Sequence, residues 1–215
     1  MSGIPSYNFD ADLFFSELHL QCLLFKRSIN RLERAAEHWK NLEWHIDDGD
    51  KAPPLEIVAD SIVCLSAMAA VRRILWPAVD ASSKVKSRAQ TLLCLLDGLS
   101  MPNVASVKVR NSWEHFDERL DEYLQNCPPG SRNVEELRVC PGPLSTETTV
   151  LRRFDPDEFS VHFNDHRIPL RPCVAEMNLL SDRISAAYTI LKGERIDLYA
   201  RITPSSRKVC RRCPP

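Results

Sequence analysis

The chain has 215 residues, 44% hydrophobic and 27% charged, with a formal net charge of −1. This composition suits one globular domain with a core, and the near-neutral charge gives no global field to draw in nucleic acid. Six glycines argue against collagen-like, linker-rich and glycine-looped nucleotide folds. No run approaches the roughly 18 uncharged apolar residues that span a bilayer, and residues 1–7 show no basic stretch leading into an apolar one. A cytoplasmic protein that makes no membrane contact is expected.

Fifteen prolines lie in the gaps between long proline-free stretches, the distribution of helices and their connections. The first helix is expected over about 10–42. Leu18, Cys22, Phe25, Ile29, Leu32, Ala36 and Trp39 recur at alternating steps of four and three, so they form one stripe. Asp10 or Asp12 can cap it. A polar loop, 47–54, ends that helix. A second follows from about Leu55 to Trp76, where Pro77 stops it, and its dense apolar content implies burial on more than one side. The third runs over about 82–96, capped by Ser82 or Ser83 and closed near Gly98. The fourth, about 106–124, carries Val109, Trp113, Phe116, Leu120 and Tyr123 as its stripe.

The pattern then changes. Residues 148–154, 158–163 and 166–170 are short β-prone runs, the first two joined by a turn at Asp155-Pro156-Asp157. A last helix is expected over about 172–192, with Cys173, Met177, Leu180, Ile184, Ala187 and Leu191 on one face. The predicted fold class is mainly α. It is an antiparallel up-and-down bundle of four to five helices with a small β-hairpin or meander (about 145–170) before the last helix. A single domain over 1–203 and a basic, flexible tail over 204–215 complete the organisation.

Few patterns carry chemistry. There is no phosphate-binding glycine loop, no G-x-S-x-G elbow, no H-E-x-x-H and no EF-hand loop. Cys22, Cys64, Cys94 and Cys173 fall in apolar helical patterns, where a thiol serves as a small buried hydrophobe. Cys210 and Cys213 have the spacing of metal ligands, but lack a second pair or a nearby histidine and read as tail residues. His162 and His166 lie near the hairpin turn, where two histidines can bind a metal ion, but in a turn they read as solvent-facing. No metal site and no cofactor are expected.

The fourth helix is the informative one. At about 100° per residue, Arg110, Asn111, Glu114, His115 and Glu118 fall away from its apolar stripe. By periodicity alone this is a solvated face with an Arg110–Glu114 pair. The run Arg110-Asn111-Ser112-Trp113-Glu114-His115 has the R-x4-6-H form of the HEPN family, the higher-eukaryote and prokaryote nucleotide-binding domains, and resembles it also in the polar residue after the arginine. The resemblance covers about ten residues as motif and about 10–125 as helical architecture. Many toxins of the family have tyrosine two positions after the histidine. Here that position is Asp117, which removes the side chain a nucleotidyltransferase partner would modify.

The resemblance implies a metal-independent endoribonuclease, a toxin or defence effector that leaves 2′,3′-cyclic phosphate and 5′-hydroxyl ends. Arg110, Asn111 and His115 would be its catalytic residues. His115 suits proton transfer because an imidazole titrates near neutrality. Arg110 offers planar donors to phosphate oxygens, and Asn111 can orient His115 or bond the RNA. The resemblance also implies a homodimer with two motifs facing each other, an RNA substrate and a nucleotidyltransferase-type antitoxin. The alternative reading is a non-catalytic HEPN-like module that binds nucleotide, RNA or protein. Glu114, Asp117, Glu118, Asp121 and Glu122 crowd the motif with negative charge. Cations to offset them are sought among Arg72, Arg73, Lys84, Lys86 and Arg88, and in the tail at Arg207, Lys208, Arg211 and Arg212.

Overall fold

The structure is a computed structural model, and it describes residues 9–41, 55–106, 121, 125, 134–139, 149–163 and 166–202. In chain order these form helix α1 (Phe9–Asn41), helix α2 (Leu55–Leu75), helix α3 (Ser83–Leu95), strands β1 (Val134–Val139), β2 (Thr149–Asp155), β3 (Ser160–Phe163) and β4 (His166–Pro169), and helix α4 (Leu170–Ile202). The chain is mainly helical, with an antiparallel β2-β3-β4 meander before the last helix, as the sequence predicts. The fourth predicted helix, about 106–124, lies outside the described residues except Ser106, which is not helical, and Asp121, which is, as is Gln125 just beyond it.

The stripe of α1 is its buried face: Leu18, Cys22, Phe25, Ile29, Leu32 and Ala36 are all buried, with Ala11 and Phe15 extending the line. α1 packs against α2 and α4. The first packing is antiparallel, because Phe25 meets Cys64 while Arg31, further along α1, meets Asp60, earlier on α2. α2 is buried on several sides, from Ile57 through Leu65, Met68 and Val71 to Leu75. One carboxylate, Asp60, lies inside this packing. The Arg31 guanidinium bonds both its oxygens, with Nε 2.9 Å from each and Nη2 closer still to Oδ1. A buried carboxylate needs such a fork, since an unpaired charge there costs several kcal/mol.

Ser82 caps α3, its hydroxyl accepting from the Val85 N–H at 3.4 Å. The far end closes in a Schellman motif. Gly98 N–H donates to Leu93 O and Asp97 N–H to Cys94 O, and both residues have positive φ. Gly98 adopts this conformation at no steric cost, whereas Asp97, at φ 58°, is a tolerated non-glycine residue. Arg183 of α4 pairs with the Asp97 carboxylate at 2.6 Å and ties the turn to the last helix.

The sheet departs from expectation in one element. Its order is β1-β2-β3-β4, with β1 parallel to β2, so a fourth strand precedes the predicted 145–170 insertion. β1 reads Val-Glu-Glu-Leu-Arg-Val, and three charged residues in six at a sheet edge give no clean alternation. Across the strands, Val139, Phe154, Val161 and Ile168 stand in register and are all buried. This apolar row joins the helical core through Leu170, Cys173 and Met177. α4 is also longer than the predicted 172–192. It starts at Leu170, whose N–H donates to Phe159 O, carries Pro172 in its first turn where the missing donor costs nothing, and continues past Gly193.

Candidate functional site

Arg110, Asn111 and His115 lie outside the described residues, as do Glu114, Asp117, Glu118 and the basic tail. The chain is described up to Ser106, and the approach to the motif segment is firmly held. The Glu176 carboxylate of α4 accepts three hydrogen bonds from the turn. These come from the Asn103 N–H (3.0 Å), the Asn103 side-chain amide (2.6 Å) and the Val104 N–H (2.9 Å). Ala105 N–H donates back to Met101 O, and Arg72 Nε donates to Ala105 O at 3.0 Å. Leu99, Met101 and Val104 plug the turn into the core.

These contacts sort the cations that the sequence offers to offset the motif's acids. Arg72 is buried at the end of α2 and fastens the 105 carbonyl. Arg88 lies over the Phe14 ring, 4.4 Å from its centroid, and Lys86 donates to Val79 O. Arg73 and Lys84 are exposed.

A second group of polar side chains, on the face of the sheet opposite the apolar row, is built by register. β2 sets Arg153 opposite His162 and Asp155 opposite Ser160, and β4 sets Arg167 opposite His162. Asp155 and Ser160 are fully buried, and Arg153 nearly so. Asp155 Oδ1 accepts the N–H groups of Asp157 and Glu158, each at 3.0 Å, which folds the 155–158 turn and brings Glu158 back over the strands. The turn closes through Phe159 at φ 49°, a left-handed conformation costly for an aromatic residue. Its ring is buried edge-on to Phe154, centroids 5.9 Å apart, which holds the backbone there.

His162 is the centre of this group. Ser160 Oγ lies 2.8 Å from its Nε2, Glu158 Oε2 lies 3.8 Å from the same nitrogen, and Arg167 reaches Glu158 at 3.1 Å. Arg153 Nη2 is 3.1 Å from both ring nitrogens and 3.8 Å from Asp155 Oδ2. Equal distances to both nitrogens put the guanidinium over the ring face, clear of the in-plane lone pairs. Burial, followed by the neighbouring Arg153 charge, holds His162 below the usual imidazole range, which favours the neutral ring. One donor atom each from Asp155, Glu158 and His162 lies within 4.8 Å of the others, a grouping able to take a metal ion.

The sequence reading sets His162 in solvent, and the structure corrects it. The signal was alternation: Arg153 and Asp155 are two apart, as are Ser160 and His162, on strands joined by a tight turn. Phe154 and Val161 between them belong to the opposite face, whereas the expectation rests only on the histidine's place near the turn. Cys22, Cys64 and Cys173 are buried free thiols as expected, but Cys94 is exposed. The chain matches no protein-family profile, no curated protein and no solved structure.

Proposed function

We propose that this chain is a metal-independent endoribonuclease of the HEPN type, acting as a toxin or defence effector in the cytosol. The observation that carries the reading is the sequence run Arg110-Asn111-Ser112-Trp113-Glu114-His115, an R-x4-H pattern that helical periodicity sets away from the apolar residues Val109, Trp113, Phe116 and Leu120. Support comes from the turn before it. Glu176 and Arg72 fix residues 103–105 by their backbone, so the segment that follows starts from a rigid point. In this reading α1, α2, α3 and the 106–124 helix, with α4 as a fifth, form an antiparallel up-and-down bundle.

One arginine and one histidine make a sparse active site, and a homodimer with a two-fold cleft supplies two of each. The RNA 2′-oxygen attacks the adjacent phosphorus and the bond to the 5′-oxygen breaks. One His115 takes the 2′-hydroxyl proton, and the partner copy's imidazole donates a proton to the leaving oxygen. Arg110 donates to the non-bridging oxygens as their charge grows, and Asn111 orients the imidazole. The products are a 2′,3′-cyclic phosphate and a 5′-hydroxyl. A nucleotidyltransferase-type antitoxin is the partner such a toxin calls for, although Asp117 offers it no tyrosine to modify. RNA incubated with the purified chain in EDTA, followed by end-group analysis, tests the reading. Cyclic phosphate ends that vanish in His115→Ala support it. RNA affinity without cleavage would turn the protein into a binding module.

A further inference from the structure

We propose that Asp155, Glu158 and His162 form a binding site for one divalent transition-metal ion, which pins the β2–β3 turn to the face of the sheet. The geometry is close to that of a loaded site. Two carboxylates and an imidazole are a donor set suited to zinc, manganese or cobalt and poorly suited to magnesium, which favours oxygen alone. Ligand atoms around such an ion stand about 2.0–2.2 Å from it, hence about 3.4 Å from one another in a tetrahedron. Glu158 Oε2 and His162 Nε2 are already 3.8 Å apart, and all three donors fall within 4.8 Å. Small rotations of two side chains close the remainder.

The scaffold is already rigid. Asp155 is held by the two backbone N–H groups on its Oδ1, and its Oδ2 lies 3.8 Å from Arg153 Nη2, the contact an ion would replace. His162 sits in a strand, opposite Arg153 on one side and Arg167 on the other. The Ser160 hydroxyl, 2.8 Å from Nε2 and 3.4 Å from Glu158 Oε2, lies between two of the ligands and is the neutral group an ion would displace or recruit.

The site also has a built-in competitor. Arg153 brings its own positive charge to the same carboxylate and ring, with Nη2 3.1 Å from the imidazole nitrogens and 3.8 Å from Asp155. Because it lies over the ring face, an ion meets only the Ser160 hydroxyl at Nε2 in the ring plane, but the arginine's charge repels it. Arg167, half exposed, needs only to release Glu158. The site therefore binds metal in competition with Arg153, and removing that arginine strengthens it.

The test uses the full chain stripped with chelator, with Cys210 and Cys213 changed to serine so that the tail offers no thiols. Titration with Co²⁺ followed by its visible absorption, and with Zn²⁺ by calorimetry, should show one site. Glu158→Gln, at an exposed position whose replacement leaves the fold intact, should weaken binding at least about tenfold, and His162→Ala should do the same. Arg153→Met should tighten it, and metal should restore thermal stability lost by that variant. Absence of a stoichiometric site in both the parent and Arg153→Met would overturn the proposal, as would unchanged affinity in Glu158→Gln. RNA cleavage in EDTA is a separate readout, so failure here and failure of the ribonuclease reading are told apart.

Discussion

Burial pushes the thiols of Cys22 and Cys173 from the ordinary 9.0 up to about 12, and that of Cys64 higher still. A thiol must ionise to react, so these three should resist iodoacetamide in the native state while Cys94, exposed on α3, is alkylated. Peptide mapping after a brief native reaction at pH 8 reads this directly; modification of Cys64 ahead of Cys94 would contradict it. The same shifts make stability fall at high pH. The unfolded thiols lose protons from about pH 8.5–9 while the folded ones keep theirs, so this contribution is intact below that range and is lost as pH rises toward 12. Urea midpoints measured from pH 8 to 11 should decline, and replacing the three cysteines with alanine or serine should flatten the slope. Cys22 and Cys173 were legible because each lies on a four-three helical stripe, and Cys64 because it lies in a dense apolar helix, whereas Cys94, in a similar pattern, is exposed. The His162 cluster was missed although Arg153, Asp155, Ser160 and His162 alternate on two strands joined by a tight turn, because its histidine reads as a turn residue when the strands are taken one at a time.

Among the elements, α1, α2 and α3 lie within a residue or two of their expected bounds, because stripes, Pro77 and the Ser82 cap mark their ends in the sequence. β1 escaped because a charged edge strand has no apolar period, and α4 overran because the residues after Gly193 are good helix formers, outweighing a single glycine's cost of about 1 kcal/mol. The tie between α4 and the 101–106 turn was also invisible, since Glu176 and Asn103 are 73 positions apart. That tie has a measurable consequence. Glu176→Ala strands two backbone N–H groups and an amide that now share a carboxylate, and should destabilise the fold by about 1–3 kcal/mol. Equilibrium urea unfolding decides it, and a change below about 0.5 kcal/mol, the range of ordinary surface substitutions, would show that the turn holds without the carboxylate.

For the whole molecule, the proposed mechanism requires two copies. Light scattering at micromolar concentration should give twice the chain mass, with an interface above roughly 1,000 Å². α1 also carries exposed Leu13, Leu20 and Leu24 on the side away from its buried stripe, which is a rival surface for association. A dimer built on the motif face survives Leu20→Glu and loses activity with the motif; a dimer that falls apart in Leu20→Glu uses α1 instead. Among the described residues no helix is long and apolar enough to cross a membrane.

If Arg110 and His115 cut RNA without metal, single-turnover cleavage of a defined RNA in EDTA by the parent chain, Arg110→Ala and His115→Ala, with the ends identified, shows it. The parent chain should leave 2′,3′-cyclic phosphate ends, and each variant should be slower by at least about two orders of magnitude, the usual size of general acid–base and charged-donor contributions. Cleavage at the parent rate by both variants, or none by the parent chain, would contradict this mechanism.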